Sequence, residues 1–467
     1  MKTWNQLFIR HGWLVEEKAS NEFICIHERA ENVAFLLECL NRAKVTYQYT
    51  NDLLILENQP VKESLWLEAV HYNYRGRTGA YWCRSEKEDV IIRHLDVYIS
   101  GVVRQLNRLG FYTDMSCDGH GESPAFIYIQ KGVNIDQLEE LLRGLGVSKM
   151  RIREHDRFHD LKLSLPRIEL LTIAENLSFI KKEWLDKGAD FIQKQMFNRL
   201  LEELLSIPGA SGDEGEVREF VMKQLTPYVD HMTIDPNGNI LAEKIYRSGQ
   251  GPVILLNAHL DTVEEIVPGR LIKKDGSVWS SSEGILGADD RAGVAVLLHT
   301  ARQLAESSFS GKVKYIFTVK EEVGLVGARG VSDFFLWGTD AAIVVDRRGT
   351  GDIVTSCGGY IPFCDERYGQ FIESVANVEG LSDWKCTAGG SSDTRIWAEH
   401  SIQSVNLSAG YRNEHTDEEF LDVAACYRVT KLIAGIFNRS RELRKVLRDI
   451  RQPARERVRV RAVRKDA

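Results

Sequence analysis

Residues 253–293 read VILLNAHLDTVEEIVPGRLIKKDGSVWSSSEGILGADDRAG, and their pattern decides the fold of the larger part of the chain. The opening run, Val253 to Ala258, is apolar and suits one buried strand. It closes on His259-Leu260-Asp261. After a Gly- and Ser-rich loop, Asp289 and Asp290 stand just ahead of an apolar-periodic segment, Ala292 to Leu304, which predicts a helix with an acidic start. Three later segments repeat the pattern. VKYIFTVK (313–320) leads into Glu321-Glu322, AAIVVD (341–346) ends on Asp346, and SVNLSAGYRNEH (404–415) reaches His415. In open α/β sheets ligands bind beyond the carboxyl ends of the strands. Four apolar runs that each close on His, Asp or Glu therefore predict one convergent site. Two His with three or more carboxylates and no Cys suit zinc, cobalt or manganese, unlike sulfur-rich structural zinc.

Working outward, strand and helix patterns alternate from about Gln195 to Phe437. This predicts an α/β fold, a mixed and largely parallel sheet sandwiched by helices, over residues 195–437. Two small α+β modules are expected ahead of it, at 1–60 and 61–160, followed by a charged helical connector at 161–194. In the second module Ile91 to Leu109 is read as one helix. Residues 438–467 form a tail with 12 Lys or Arg against 4 Asp or Glu, whereas the whole chain of 467 residues carries a net charge of −7. That balance excludes a generally basic nucleic-acid binder, and the tail interleaves no aromatic residues for base stacking. The N-terminus lacks the apolar core of a signal peptide, and no run approaches about 18 apolar residues. The eight Cys are scattered without a CxxC. A cytoplasmic protein with no membrane partner is the expectation.

Several residues carry a bland reading beside a chemical one. MSCDGHGES (115–123) holds Cys117, Asp118 and His120. It reads as a glycine-rich turn between strands, because zinc takes about four ligands and the stretch falls short. Cys83, Arg93 and His94 are read with the same caution. Asp290 suits a helix N-cap or an ion pair with Arg291 as well as catalysis. Ser391, Ser392 and Asp393 read as a turn and N-cap, and His299 and His400 as structural or surface histidines.

SIPGASGDEGEVREF, DPNGNIL, NAHLDTV, GADDRAGVA, EEVGLVGARG, VVDRRG, GGSSDTRIW and SVNLSAGYRNEHTDEE occur in this order. Together they resemble the co-catalytic di-zinc exopeptidase superfamily of aminopeptidases, tripeptidases and related amidohydrolases, over residues 195–437. The resemblance implies two divalent metal ions, zinc with cobalt or manganese as alternatives. It implies that His259 and Asp346 hold one ion, His415 and Glu322 the other, and that Asp289 bridges them. Glu321 resembles the general base and Asp261 the carboxylate that orients His259. A cis peptide bond after the bridging aspartate is also implied. On a strand, His259 and Asp261 would share a side, whereas adjacent Glu321 and Glu322 would face opposite ways unless Val323-Gly324 turns the chain.

Asp289 follows His259 by only 30 positions and His415 follows Glu322 by 93, so neither gap houses a further domain. The expected protein is therefore a lid-less aminopeptidase acting on a peptide or small amide substrate. A deacylase of N-acyl amino acids is the alternative. A non-catalytic scaffold is the second alternative, which the intact Glu321 disfavours. Homo-oligomerisation and side-chain preference are not legible at this level.

Overall fold

The Val253–His259 strand lies at the centre of a nine-stranded sheet. The computed structural model describes residues 2–71, 75–76 and 90–463, with side chains to residue 452. It divides into two compact units, Met1–Met196 and Phe197–Ala467, the boundary falling within the helix Gly188–Leu205.

In the C-terminal unit the strands Gly311–Thr318, Val253–His259, Ala341–Arg347 and Gln403–Ser408 are adjacent and mutually parallel. Antiparallel strands flank them, with Ile240–Tyr246 on one side and Asp352–Cys357 on the other. Alternation along the central strand separates two cores. Ile254, Leu256 and Ala258 pack with the helices Ala288–Leu304 and Val423–Asn438, while Leu255 packs with Ile316, Trp397 and Ile402 on the opposite face. His259 continues the Leu255–Asn257 face at the carboxyl edge. The first helix lies against the sheet because Gly293 has no side chain: a Cβ there would come within 1.9 Å of the Val345 carbonyl oxygen. The segment between His259 and Asp289 holds a hairpin, Ile272–Asp275 and Val278–Ser281, which pairs with Phe420–Asp422 in a small second sheet.

Some expectations need correction. The strand before Glu321 ends at Thr318, so Glu321 and Glu322 lie in the following turn and strand alternation does not apply to them. The basic tail is helical from Ser440. Its buried Leu443 and Leu447 and an Arg451–Asp340 ion pair at 2.5 Å make its first turns part of the C-terminal unit.

The N-terminal unit contains two antiparallel four-stranded sheets. Their orders are Glu16–Ala19, Glu22–Ile24, Leu53–Leu56, Tyr47–Thr50 and Thr113–Cys117, Ala125–Gln130, Phe158–Leu163, Met150–Glu154. One apolar core runs through it from Trp4, Phe8 and Trp13 to Leu161 and Ile192, where two modules and a connector were read. Phe158–Leu163, partly assigned to the connector, is the third strand of the second sheet. The helix expected from Ile91 begins at Ser100 and ends at Leu109, after a short 3-10 turn at Ile92–His94. Cys83 lies outside the described residues.

Candidate active site

The carboxyl ends of the four parallel strands bring five of the expected residues together. His259 is 2% exposed. Its Nε2 stands 3.1 Å from Asp289 Oδ1 and 3.5 Å from Asp346 Oδ1. His415 Nε2 stands 2.8 Å from Glu322 Oε1 and 3.3 Å from Asp289 Oδ2. The two oxygens of Asp289 thus face two different imidazoles, with Asp346 beside one and Glu322 beside the other. The Asp289–Asp290 peptide bond is cis.

Asp261 works differently from the expectation. The strand ends at His259, and His259 Nδ1 meets the backbone carbonyl of Asp261 at 3.0 Å, closer than the carboxylate at 3.4 Å. The carboxylate instead accepts the backbone N–H of Glu321 at 3.0 Å and of Glu322 at 3.2 Å, and the Ser211 hydroxyl at 2.6 Å. One residue therefore orients an imidazole through its carbonyl and anchors the Glu321–Glu322 turn through its side chain. Although burial pulls its carboxyl up, the His259 ring and these donors hold Asp261 at about 2.

Four residues outside the expected set complete the arrangement. Asp290 was read as an N-cap or a partner of Arg291. Its oxygens accept the backbone N–H of His259 at 3.2 Å and of Gly293 at 3.0 Å, so it ties strand to helix. The Tyr411 hydroxyl donates to Asp346 Oδ1 at 3.0 Å. Glu419 accepts the backbone N–H of Asp289 at 3.0 Å and of Gly287 at 2.6 Å. Asp393 was read with Ser391 and Ser392 as a turn and cap. Ser392 does cap the helix Asp393–Glu399, but Asp393 is buried and accepts the Thr318 hydroxyl at 2.5 Å and the Asn257 amide at 3.4 Å. Apart from the Asp290–Gly293 bond, which is the local N-cap contact, the partners of these four are remote in sequence. His299 is buried against Phe197 and Tyr427, and burial lowers it to about 3. His400 sits 3.6 Å from Asp333 on the surface.

The electrostatics test whether the donors fit a cation. Burial pushes Glu321 up to about 10, with the Asp346, Asp393 and Glu322 charges adding to it. Burial, then Asp289 and Asp393, pushes Asp346 up to about 7. Against the upward pull of burial, the two imidazoles hold Asp289 low. So many carboxylates at one buried point demand positive charge. The neighbouring Arg291 guanidinium is turned to the carbonyl oxygens of Leu260 and Ile207. Donor atoms of His259, Asp289 and Glu322, and of His259, Asp290 and Asp346, lie within 4.8 Å of one another. Imidazole with carboxylate is the donor chemistry of zinc and related ions, so the residues fit a divalent metal.

The sequence profile of Peptidase family M28 matches residues 239–430. The match falls within the C-terminal unit and spans His259, Asp289, Glu322, Asp346 and His415. Among relatives in sequence, a protein of Acetivibrio thermocellus named "Putative aminopeptidase" is 25% identical, with 36% of this chain and 72% of that one covered. A Pyrococcus furiosus protein named "Putative [LysW]-lysine/[LysW]-ornithine hydrolase" is 28% identical, covering 38% of this chain and 48% of that one, about half its length. A crystal structure of aminopeptidase PepT from Bacillus cereus is 18% identical, covers 52% of this chain and 98% of that one, and has a TM-score of 0.47. The C-terminal unit has a mixed α/β architecture, and its family match and aminopeptidase-named relative support a metal-dependent exopeptidase.

Proposed function

We propose that the chain is an aminopeptidase that holds two divalent ions, zinc with cobalt or manganese as alternatives. His259 and Asp346 would hold one, His415 and Glu322 the other, and Asp289 both. The observation that carries this reading is Asp289 itself, whose two oxygens stand 3.1 and 3.3 Å from two imidazoles. When bound, the ions supply Lewis acidity toward the scissile carbonyl and the attacking water.

The protein's own residues do the rest. Glu321, on the turn pinned by Asp261, takes a proton from the water and passes it to the leaving amine. Beyond burial, the Asp346, Asp393 and Glu322 charges that raise its carboxyl would be offset by bound cations, which would leave Glu321 ionised and able to accept the proton. Tyr411 and Glu419 keep Asp346 and Asp289 in place. Free thiols at all seven described Cys fit a reducing compartment such as the cytoplasm. Among the described residues no helix is long and apolar enough to cross a membrane.

The second reading, an amidohydrolase acting on an acylated amino acid, draws on the hydrolase name of the Pyrococcus relative. One experiment separates the two. Metal content and turnover are measured on the same preparation, against free-amine and N-acylated peptides, with wild type and Glu321→Gln. At least two ions per chain, with cleavage of free-amine peptides that drops about 10²–10⁴-fold in Glu321→Gln, is the expected outcome. Cleavage confined to N-acylated substrates would establish the deacylase instead. Protein that takes up no metal would overturn both.

A further inference from the structure

The turn after strand Thr113–Cys117 offers three donors, Cys117, Asp118 and His120, one short of a zinc set. The structure brings a fourth, Asp96, from the loop ahead of helix Ser100–Leu109. We propose that Asp96, Cys117, Asp118 and His120 form a zinc site in the N-terminal unit, distinct from the His259–His415 cluster. The ion fastens the loop around Asp96 to the end of the strand.

One donor atom from each of the four residues lies within 4.8 Å of the others. His120 Nε2 stands 3.6 Å from Asp96 Oδ1 and 3.9 Å from Asp118 Oδ1, and Cys117 Sγ is 4.0 Å from His120 Nδ1. His120 gives an ion one ring nitrogen; tetrahedral bonds of about 2.0–2.3 Å put donor atoms roughly 3.3–3.8 Å apart, so donors within 4.8 Å of one another close on an ion by shifts of up to about 1.5 Å.

The backbone already holds the donors in place. The Asp118 N–H donates to Asp96 Oδ2 at 3.1 Å, which joins the two segments. The Gly119 N–H donates to Cys117 Sγ at 3.4 Å, an N–H···S bond that favours the ligating thiolate. Left-handed backbone at Gly119 and His120, φ 75° and 52°, turns the ring back over the carboxylates. Gly76 leaves the space that Asp96 fills: a Cβ there would lie 2.0 Å from Asp96 Oδ1. Asp96 and Asp118 are both buried, at 8% and 4% exposure. Among the described residues the group at ion-pairing distance from both is the His120 ring. A thiolate and an imidazole in the set select zinc over magnesium or calcium. Binding moves the Cys117 thiol proton to solvent as the zinc–sulfur bond forms, so a dianionic pair and a thiolate meet a dication.

The test uses the full chain, stripped of metal and reloaded with cobalt(II). The His259–His415 cluster has no thiol, so a near-ultraviolet thiolate-to-cobalt charge-transfer band reports on a site outside it. The band is expected in wild type, in Cys386→Ser and in Glu321→Gln, and is expected to vanish in Cys117→Ser. Zinc content of Cys117→Ser as isolated should fall by about one ion per chain. His120→Ala changes a side chain that is half exposed and so leaves the fold intact; it should weaken cobalt binding at this site about 10–100-fold, in line with the loss of a metal-site partner. A wild type without the band, a full band in Cys117→Ser, or unchanged affinity in His120→Ala would overturn the proposal.

Discussion

Tyr411 and the raised carboxyls make the site's chemistry measurable residue by residue. Tyr411 meets the proposed metal set through its hydrogen bond to Asp346. Tyr411→Phe should weaken metal affinity about 10–100-fold, read by competition with a chelator. Unchanged affinity would remove Tyr411 from the site. The pH dependence follows from burial. Burial pushes Asp346 and Glu419 up to about 7 and Asp393 up to about 6. Unfolded carboxyls ionise near about 4. A carboxyl raised in the folded state favours folding while protonated, so its contribution is full below about pH 4 and lost as pH rises through 6–7. His259 and His415, also raised, act in the same direction at higher pH, while Asp261 and Asp289, held low, matter only below about pH 4. Metal-stripped protein should therefore melt at a lower temperature at about pH 7.5 than at about pH 5, and zinc should remove the difference. Thermal scans of stripped and loaded protein check the sign.

At the scale of elements, the site depends on how closely the helix Ala288–Leu304 approaches the strand Ala341–Arg347. A Cβ at Gly293 would meet the Val345 carbonyl at 1.9 Å and both Asp290 oxygens at 2.5 Å. Gly293→Ala should destabilise the unit by about 1–3 kcal/mol, the usual cost of overpacking. It should also lower metal occupancy, because the same helix carries Asp289. Urea unfolding paired with elemental analysis measures both effects. Stability lost without loss of metal would show that the helix start is held independently, by Glu419 and by the His259 N–H bond to Asp290.

For the whole molecule, two units with separate apolar cores should unfold in two steps. Trp4, Trp13 and Trp66 are buried in the first core, and Trp279 and Trp384 in the second, so fluorescence follows both. Chelation should lower the stability of the C-terminal unit through the site at the strand ends. A single cooperative transition, unchanged by chelation, would contradict that arrangement.

The sequence by itself determined the mixed α/β architecture of residues 195–437 and the candidates for the site. Apolar runs that end on His, Asp or Glu are local signals, and parallel strands gather their carboxyl ends without further instruction. Only the tertiary structure decided which atom of Asp261 faces His259, because that turns on where the strand stops. It also placed Asp393, Tyr411 and Glu419, whose partners lie far away along the chain, and tied Asp290 to the distant His259 N–H. The same holds for Asp96, which turns a glycine-rich stretch with three donors into a candidate site with four. A spacing pattern records what neighbours in sequence can do, whereas burial and long-range hydrogen bonds exist only once the chain has closed on itself.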